Sequence, residues 1–111
     1  MKGHLTVAQW LARSVRNLEM SHVFLVPTVL SRTLVELESL AVRRVVTHGE
    51  KAAVYMADGF ARASRKPTLA MAQAVGAMYM AAGLQDPYLA GSPLIAIAGG
   101  PSPSSMARRQ Y

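Results

Sequence analysis

One acid stands out among the titratable side chains. Glu50 lies in Thr47-His48-Gly49-Glu50, where a short apolar run gives way to a helical pattern. Two kinds of chemistry fit it. Thr47-x-x-Glu50 has the spacing of a capping box, with Thr47 as N-cap and the glutamate reaching back to its backbone. A carboxyl group at a strand end, in the first turn of a helix with a small-residue face, can also hold or share a proton near neutral pH, because burial favours the neutral form. A second candidate is Gln73-Ala74-Val75-Gly76, a strand-to-helix turn whose backbone N–H groups could take an anion or the polar edge of a ring. One glycine does not separate such a site from an ordinary turn. The three histidines, His4, His22 and His48, lack metal-ligand spacing apart from His48 beside Glu50, so no metal site is expected. No G-x-S-x-G elbow, GxGxxG or Walker A sequence occurs, and with no cysteine there is no thiolate chemistry and no disulfide.

The elements that must position these residues follow from hydrophobic periodicity. Leu5, Ala8, Leu11 or Ala12, Val15 and Leu18 have helical spacing, with Thr6 as a plausible N-cap. His22-Val23-Phe24-Leu25-Val26 is an apolar run ended by Pro27, the pattern of a buried strand. Residues 30–40 return to helical spacing, capped by Ser31 or Thr28, and residues 43–47 form a second short strand. The clearest helix begins at Thr47-His48-Gly49-Glu50, with Ala53, Met56, Ala57, Phe60 and Ala61 on one face. Gly59 within it permits close approach of a neighbouring helix. Residues 68–73 form a third strand, 76–89 a helix and 93–98 a fourth strand, with core packing expected for the methionines at 56, 71, 78 and 80.

Unalternating strands separated by helices imply an α/β fold with a parallel sheet flanked by helices on both faces. Ligands in such sheets sit beyond the carboxyl ends of the strands. That directs attention to Val26-Pro27-Thr28, to Thr47-His48-Gly49-Glu50 and to Gln73-Ala74-Val75-Gly76.

With 111 residues the chain is one domain at most, and 51% hydrophobic against 16% charged residues excludes a disordered composition. The net charge of +6 is dispersed in small pairs, with no basic run and no interleaved aromatics, so nucleic-acid binding is a weak third reading. Between Lys66 and Arg108 the only charged residue is Asp86. The uncharged stretch 67–85 approaches the length of a membrane span, but its Ala, Gly, Met, Thr and Gln content argues against one. No signal peptide is visible and a cytoplasmic address is expected. A helix over 76–89 that is apolar nearly all round should be buried nearly all round, which one small domain cannot achieve. A second copy or further chain is expected to cover it.

The residues also carry a resemblance. The stretch His48-Gly49-Glu50-Lys51-Ala52-Ala53-Val54-Tyr55-Met56-Ala57-Asp58-Gly59-Phe60-Ala61-Arg62 resembles the HE-x-x-A-x-x-M-A-D-G-Y-A-R segment of thiamine-diphosphate-dependent enzymes of the acetolactate synthase and 2-oxo-acid decarboxylase group. Gln73-Ala74-Val75-Gly76-Ala77, Ala82-Gly83-Leu84-Gln85-Asp86-Pro87-Tyr88 and Ser92-Pro93-Leu94-Ile95-Ala96-Ile97-Ala98-Gly99 match the next segments in order, and residues 23–27 are similar to the first strand and its Val-Pro turn. Three positions depart from the pattern. Gly49 stands where the family has His, Ala74-Val75-Gly76 replaces Gly-Pro-Gly, and Tyr79 stands where an asparagine is usual.

The resemblance implies the pyrimidine-binding (PYR) domain over residues 1–100, with 101–111 starting a linker to the rest of an enzyme. It implies a three-layer sandwich, with thiamine diphosphate as cofactor and Mg²⁺ held by a diphosphate-binding domain outside this chain. That domain, in the same or a partner subunit, and a homo-oligomer of at least two copies are the implied partners. The glutamate matching Glu50 hydrogen-bonds N1′ of the cofactor's aminopyrimidine, which favours the imino tautomer that removes the thiazolium C2 proton. With the resemblance, catalysis is favoured over capping for Glu50. Val26, Pro27, Gln73, Val75, Gly76 and Tyr79 are the other expected cofactor contacts. Alone the chain is not expected to be active. The rival reading is a non-catalytic α/β module that kept the fold and dimerises through its apolar helix.

Overall fold

Thr6 begins the first helix for the reason its side chain suggests. Its Oγ1 accepts from the Gln9 N–H at 3.2 Å while Gln9 Oε1 accepts from the Thr6 N–H at 3.2 Å, closing a capping box. The structure, a computed structural model, describes residues 3–27 and 30–108. The elements run α1 (Val7–Asn17), β1 (His22–Leu25), α2 (Ser31–Ser39), β2 (Arg43–Val46), α3 (Glu50–Ser64), β3 (Thr68–Gln73), α4 (Ala74–Ala90), β4 (Leu94–Gly99) and α5 (Pro103–Ala107). The four strands form one parallel sheet in the order β2-β1-β3-β4.

Side chains alternate across the pleat and so sort the core into two layers. Val23, Leu25, Leu69 and Met71 face α1 and α2, where they meet Ala12, Val15, Leu34 and Leu37. Phe24, Ala70 and Ala72 face the opposite way, onto Ala53, Val54 and Ala57 of α3 and Met80 of α4. This is the expected three-layer sandwich. Central β3 is buried through its first five residues, while β2 and β4, at the two edges, are largely open.

Small residues let α3 and α4 approach. Gly76, Met80, Gly83 and Pro87 form the buried stripe of α4. A Cβ on Gly83 would stand 3.1 Å from Val54 Cβ and 3.3 Å from the Lys51 carbonyl oxygen. The close approach assigned from sequence to Gly59 is therefore made by Gly76 and Gly83 instead. Gly59 is exposed and a Cβ there would meet nothing within 4 Å. The buried face of α3 is also rotated from the expected one. It comprises Ala53, Val54, Ala57, Asp58 and Ala61, and leaves Met56 46% exposed, because α3 packs on the sheet and on α4 together.

An ionic clamp secures this pair of helices. The Arg62 guanidinium donates through Nε to Asp58 Oδ1 at 3.0 Å, lies 2.7 Å from Asp58 Oδ2, and reaches Asp86 Oδ2 of α4 at 3.4 Å. Hydrogen bonding from Arg62 holds the buried Asp58 carboxyl below the usual aspartate range, against the opposing effect of burial. Ser92 lies close enough to act in the same direction, although its buried hydroxyl makes no hydrogen bond of acceptable geometry. One further buried bond, from Thr68 Oγ1 to the Ala57 carbonyl at 2.9 Å, ties β3 to α3.

One further expectation, the cap of α2, is corrected. The N-cap of α2 is neither Ser31, which is its first helical residue, nor Thr28, which lies outside the described residues. It is Leu30, in a left-handed conformation with φ of 41° and no side-chain cap bond. Burial of α4 is partial, as expected for a single small domain: Met78, Tyr79, Tyr88 and Leu89 are 62–84% exposed, and among the described residues α4 packs on α3, β3 and β4. Within the segment expected to begin a linker, α5 is capped by Ser102 Oγ, which accepts from the Ser105 N–H at 3.2 Å. Among the described residues no helix is long and apolar enough to cross a membrane.

Two stability predictions follow from these contacts. Asp58→Asn should cost about 2 kcal/mol at pH 7, the scale of a buried hydrogen bond to a charged group. Since the folded-state pKa of Asp58 is depressed, its contribution is fully present above the unfolded value near 4 and is lost as pH falls through the lower folded value. Urea unfolding of both proteins should therefore show a gap that closes only below about pH 4. Arg65, exposed at the end of α3 with φ of 55°, should gain about 1 kcal/mol on Arg65→Gly, read by the same unfolding curves.

Candidate functional site

The sheet order places a switch point between β1 and β3. From β1 the chain continues to α2 on one face, and from β3 to α4 on the other. Their carboxyl ends thus diverge and leave a crevice, the usual ligand position in such sheets. Leu25 pairs with Met71, so Val26 and Pro27 leave the sheet beside Ala72 and Gln73. Val26 is half-buried, while Pro27 and Gln73 are exposed.

Glu50 reaches this end of the sheet from the β2–α3 turn. Thr47 is buried, and its Oγ1 donates to the Gly49 carbonyl at 2.9 Å and lies 3.4 Å from the Leu25 carbonyl. It pins the turn to the end of β1 and is not the N-cap. Gly49 holds that position in extended conformation, with no side-chain cap bond. The expected capping box is thereby overturned: Glu50 is the first helical residue, two positions short of where a capping-box acid must stand. Its carboxyl group is not committed to the helix end.

The half-buried Glu50 side chain turns instead toward α4. A Cβ on Gly76 would stand 2.6 Å from Glu50 Oε1, 2.7 Å from Cγ and 2.9 Å from Cδ. Only glycine admits the carboxyl group here. Gln73 is the N-cap of α4, so Gly76 lies in its first turn, and Glu50 lies in the first turn of α3. The positive ends of two helix dipoles thus converge on one carboxyl group.

The remaining expected contacts lie on the adjoining surface. Val75 and Tyr79, 45% and 62% exposed, line a shallow depression of about 430 Å³ with Ala74 and Met78. Glu50 does not line it. The structure therefore joins Glu50 to Gly76, sets Val26, Pro27 and Gln73 at the neighbouring strand ends, and places Val75 and Tyr79 on an outer face of α4. A larger cavity of about 840 Å³ lies between the start of α1 and α2, away from this crevice. Thr47 and Asp58–Arg62 carry positioning roles that sequence reasoning missed. The four-residue spacing of Asp58 and Arg62 was the available signal for the second. Gly76→Ala should leave stability within about 1 kcal/mol, because the helix preference of alanine offsets the crowding, while the Glu50 side chain swings away. Denaturant unfolding and the ¹³C shift of the Glu50 carboxyl carbon check both halves.

Comparison with known proteins agrees with this architecture. A 4-hydroxybenzoylformate decarboxylase of Rhodococcus jostii RHA1, thiamine diphosphate-dependent, superposes with a TM-score of 0.82 at 25% identity, over 96% of this chain and 20% of that one. A Mycobacterium smegmatis protein described as a thiamin diphosphate-dependent enzyme superposes at 0.78 with 28% identity, over 96% of this chain and 21% of that one. The benzoylformate decarboxylase of Polynucleobacter necessarius shares the fold at 0.78 and 21% identity, over 94% of this chain and 20% of its own. The chain spans about a fifth of the length of these proteins. No curated protein matches it by sequence. Residues 5–110 match the family profile described as thiamine pyrophosphate enzyme, N-terminal TPP binding domain. The chain belongs to the family of thiamine pyrophosphate enzymes, as their N-terminal, pyrimidine-binding domain.

Proposed function

We propose that this domain forms the aminopyrimidine side of a thiamine diphosphate site in an enzyme that decarboxylates or ligates 2-oxo acids, of the acetolactate synthase-like group, with Glu50 as its proton-handling residue. The observation that carries the reading is the Glu50–Gly76 contact. It sets a carboxyl group that takes no part in helix capping against the first turn of α4, where an added Cβ would displace it. That fits a ring nitrogen in need of one placed proton. The 25%-identical decarboxylase supports the reaction class.

Each residue has a defined task. Glu50 would offer its carboxyl group to a ring nitrogen of the cofactor from the first turns of α3 and α4. Gly76 makes room for the carboxyl group, and Thr47 fixes the turn from which it projects. Val26, Pro27 and Gln73 bound the crevice with the ends of β1 and β3. Val75 and Tyr79 offer apolar and aromatic surface that limits water at the outer side of α4. When bound, thiamine diphosphate supplies the carbon nucleophile and the electron sink for decarboxylation. Mg²⁺ and the diphosphate are assigned to a domain outside this chain. Among the described residues no group of three or more His, Asp or Glu could hold a metal ion.

The test uses the chain assembled with its diphosphate-binding domain, thiamine diphosphate and Mg²⁺. Glu50→Gln should slow hydrogen–deuterium exchange at the cofactor C2 by at least about 100-fold, with unchanged far-UV circular dichroism. Unchanged exchange would remove the role of Glu50. An assembly that folds and does not bind the cofactor would favour the interaction-module reading.

A further inference from the structure

The residue immediately before Glu50 does little to steer it. Gly49 is the N-cap of α3, with φ of -170°, ψ of 151° and no side-chain cap bond. This is extended backbone that any residue adopts, and a Cβ built on Gly49 would meet nothing within 4 Å. Neither conformation nor packing therefore requires glycine here. What glycine brings is rotational freedom beside the one residue whose direction the crevice depends on.

The Gly49 carbonyl and the Glu50 N–H belong to one rigid plane, so whatever holds that carbonyl also sets where Glu50 departs. Two donors hold it. The Ala53 N–H bonds to it at 3.0 Å, and the Thr47 hydroxyl donates to it at 2.9 Å. The first bond belongs to α3 and moves with the helix. The second ties the plane to the sheet, because the Thr47 N–H bonds to the Leu25 carbonyl, at the end of β1, at 2.8 Å. Thr47 is β-branched and 6% exposed, so its surroundings fix the direction of its hydroxyl. The same oxygen lies 3.4 Å from the Leu25 carbonyl, a longer second contact. A path thus runs from β1 through Thr47 and the 49–50 peptide plane to Glu50, and on to Gly76.

We propose that Thr47 is a positioning residue for Glu50, and that its hydroxyl supplies the restraint that Gly49 withholds. It acts through the 49–50 peptide plane, since both of its hydroxyl contacts are to main-chain carbonyls. A consequence separates this role from a general contribution to folding. Thr47 and Gly49 are coupled: the hydroxyl matters while residue 49 is glycine, and matters much less once a Cβ narrows the backbone there. The effect on cofactor chemistry rests on the function proposed above for Glu50; the restraint on its main chain does not.

A double-mutant cycle of Thr47→Val and Gly49→Ala tests it, with Thr47→Ser as the conservative control. Valine nearly keeps the shape of threonine, and the Gly49 carbonyl retains the Ala53 N–H, so circular dichroism should be unchanged in every variant. Without cofactor, ¹⁵N relaxation of the Glu50 amide should give an order parameter of about 0.85 in the parent and in Thr47→Ser. It should fall in Thr47→Val toward the value of about 0.6 that marks flexible backbone, and return toward the parent when Gly49→Ala is added. In the assembly with its diphosphate-binding domain, thiamine diphosphate and Mg²⁺, Thr47→Val should slow exchange at the cofactor C2 about 10-fold, with cofactor affinity within about twofold of the parent, because misplacement costs rate rather than binding. Thr47→Ser should exchange at the parental rate, and the double variant should recover most of the loss. An order parameter unmoved by Thr47→Val would overturn the proposal. So would an equal fall with glycine or alanine at position 49, since the hydroxyl would then act elsewhere. Parental exchange in Thr47→Val, where Glu50→Gln is slow, would overturn it as well. Should Glu50→Gln leave exchange unchanged, the function proposed for Glu50 falls, and the amide measurements alone decide whether Thr47 holds the turn.

Discussion

The packing of α3 against α4 is the constraint on which the rest of the structure depends. Two helices can lie this close only where side chains are absent, and Gly76 and Gly83 provide the two gaps, one beneath Glu50 and one beneath Val54. The approach distance then determines what the crevice can hold. With β-carbons at these positions the helices would separate or the Glu50 side chain would turn out, and the carboxyl group would leave the strand ends. The Asp58–Arg62–Asp86 clamp acts further along the same pair of helices. Its strong member is the buried Asp58 contact; the exposed Asp86 arm contributes little in water.

Glu50 illustrates how the same residue type can be structural or chemical depending on a shift of two positions. At the third helical position its carboxyl group would close the helix end. At the first position it is released from that duty and aimed across to the neighbouring helix. Thr47, the residue that sequence spacing nominates as the cap, spends its hydroxyl on carbonyl groups of Gly49 and Leu25. The turn is thus anchored to the sheet rather than to its own helix, and the glutamate is held relative to the strand ends.

The sheet also divides the molecule by environment. Its centre, β1 and β3, is covered on both sides and supplies the rigid floor of the crevice. Its edges carry opposite chemistry, arginines on β2 and bare alanine and isoleucine on β4. The apolar surface of α4 that faces away from α3 lies on the β4 side of the molecule.

By itself the sequence determined the order of the elements as far as β4, the parallel sheet and the family. Apolar periodicity is a local property, and the segments around Glu50, Gln73 and Ser92 are contiguous. The bounds of β3 and the Thr6 cap were legible for the same reason: each rests on residues a few positions apart. What the sequence left undecided involves residues distant along the chain. The face of α3 that is buried, the choice of Gly76 and Gly83 over Gly59 as points of close approach, and the release of Glu50 from capping all depend on where α4 lies. The exposure of β4 likewise follows from its place at the edge of the sheet. Those are decided by tertiary packing, because steric exclusion between helices acts through distance in space and leaves no periodic trace in the chain.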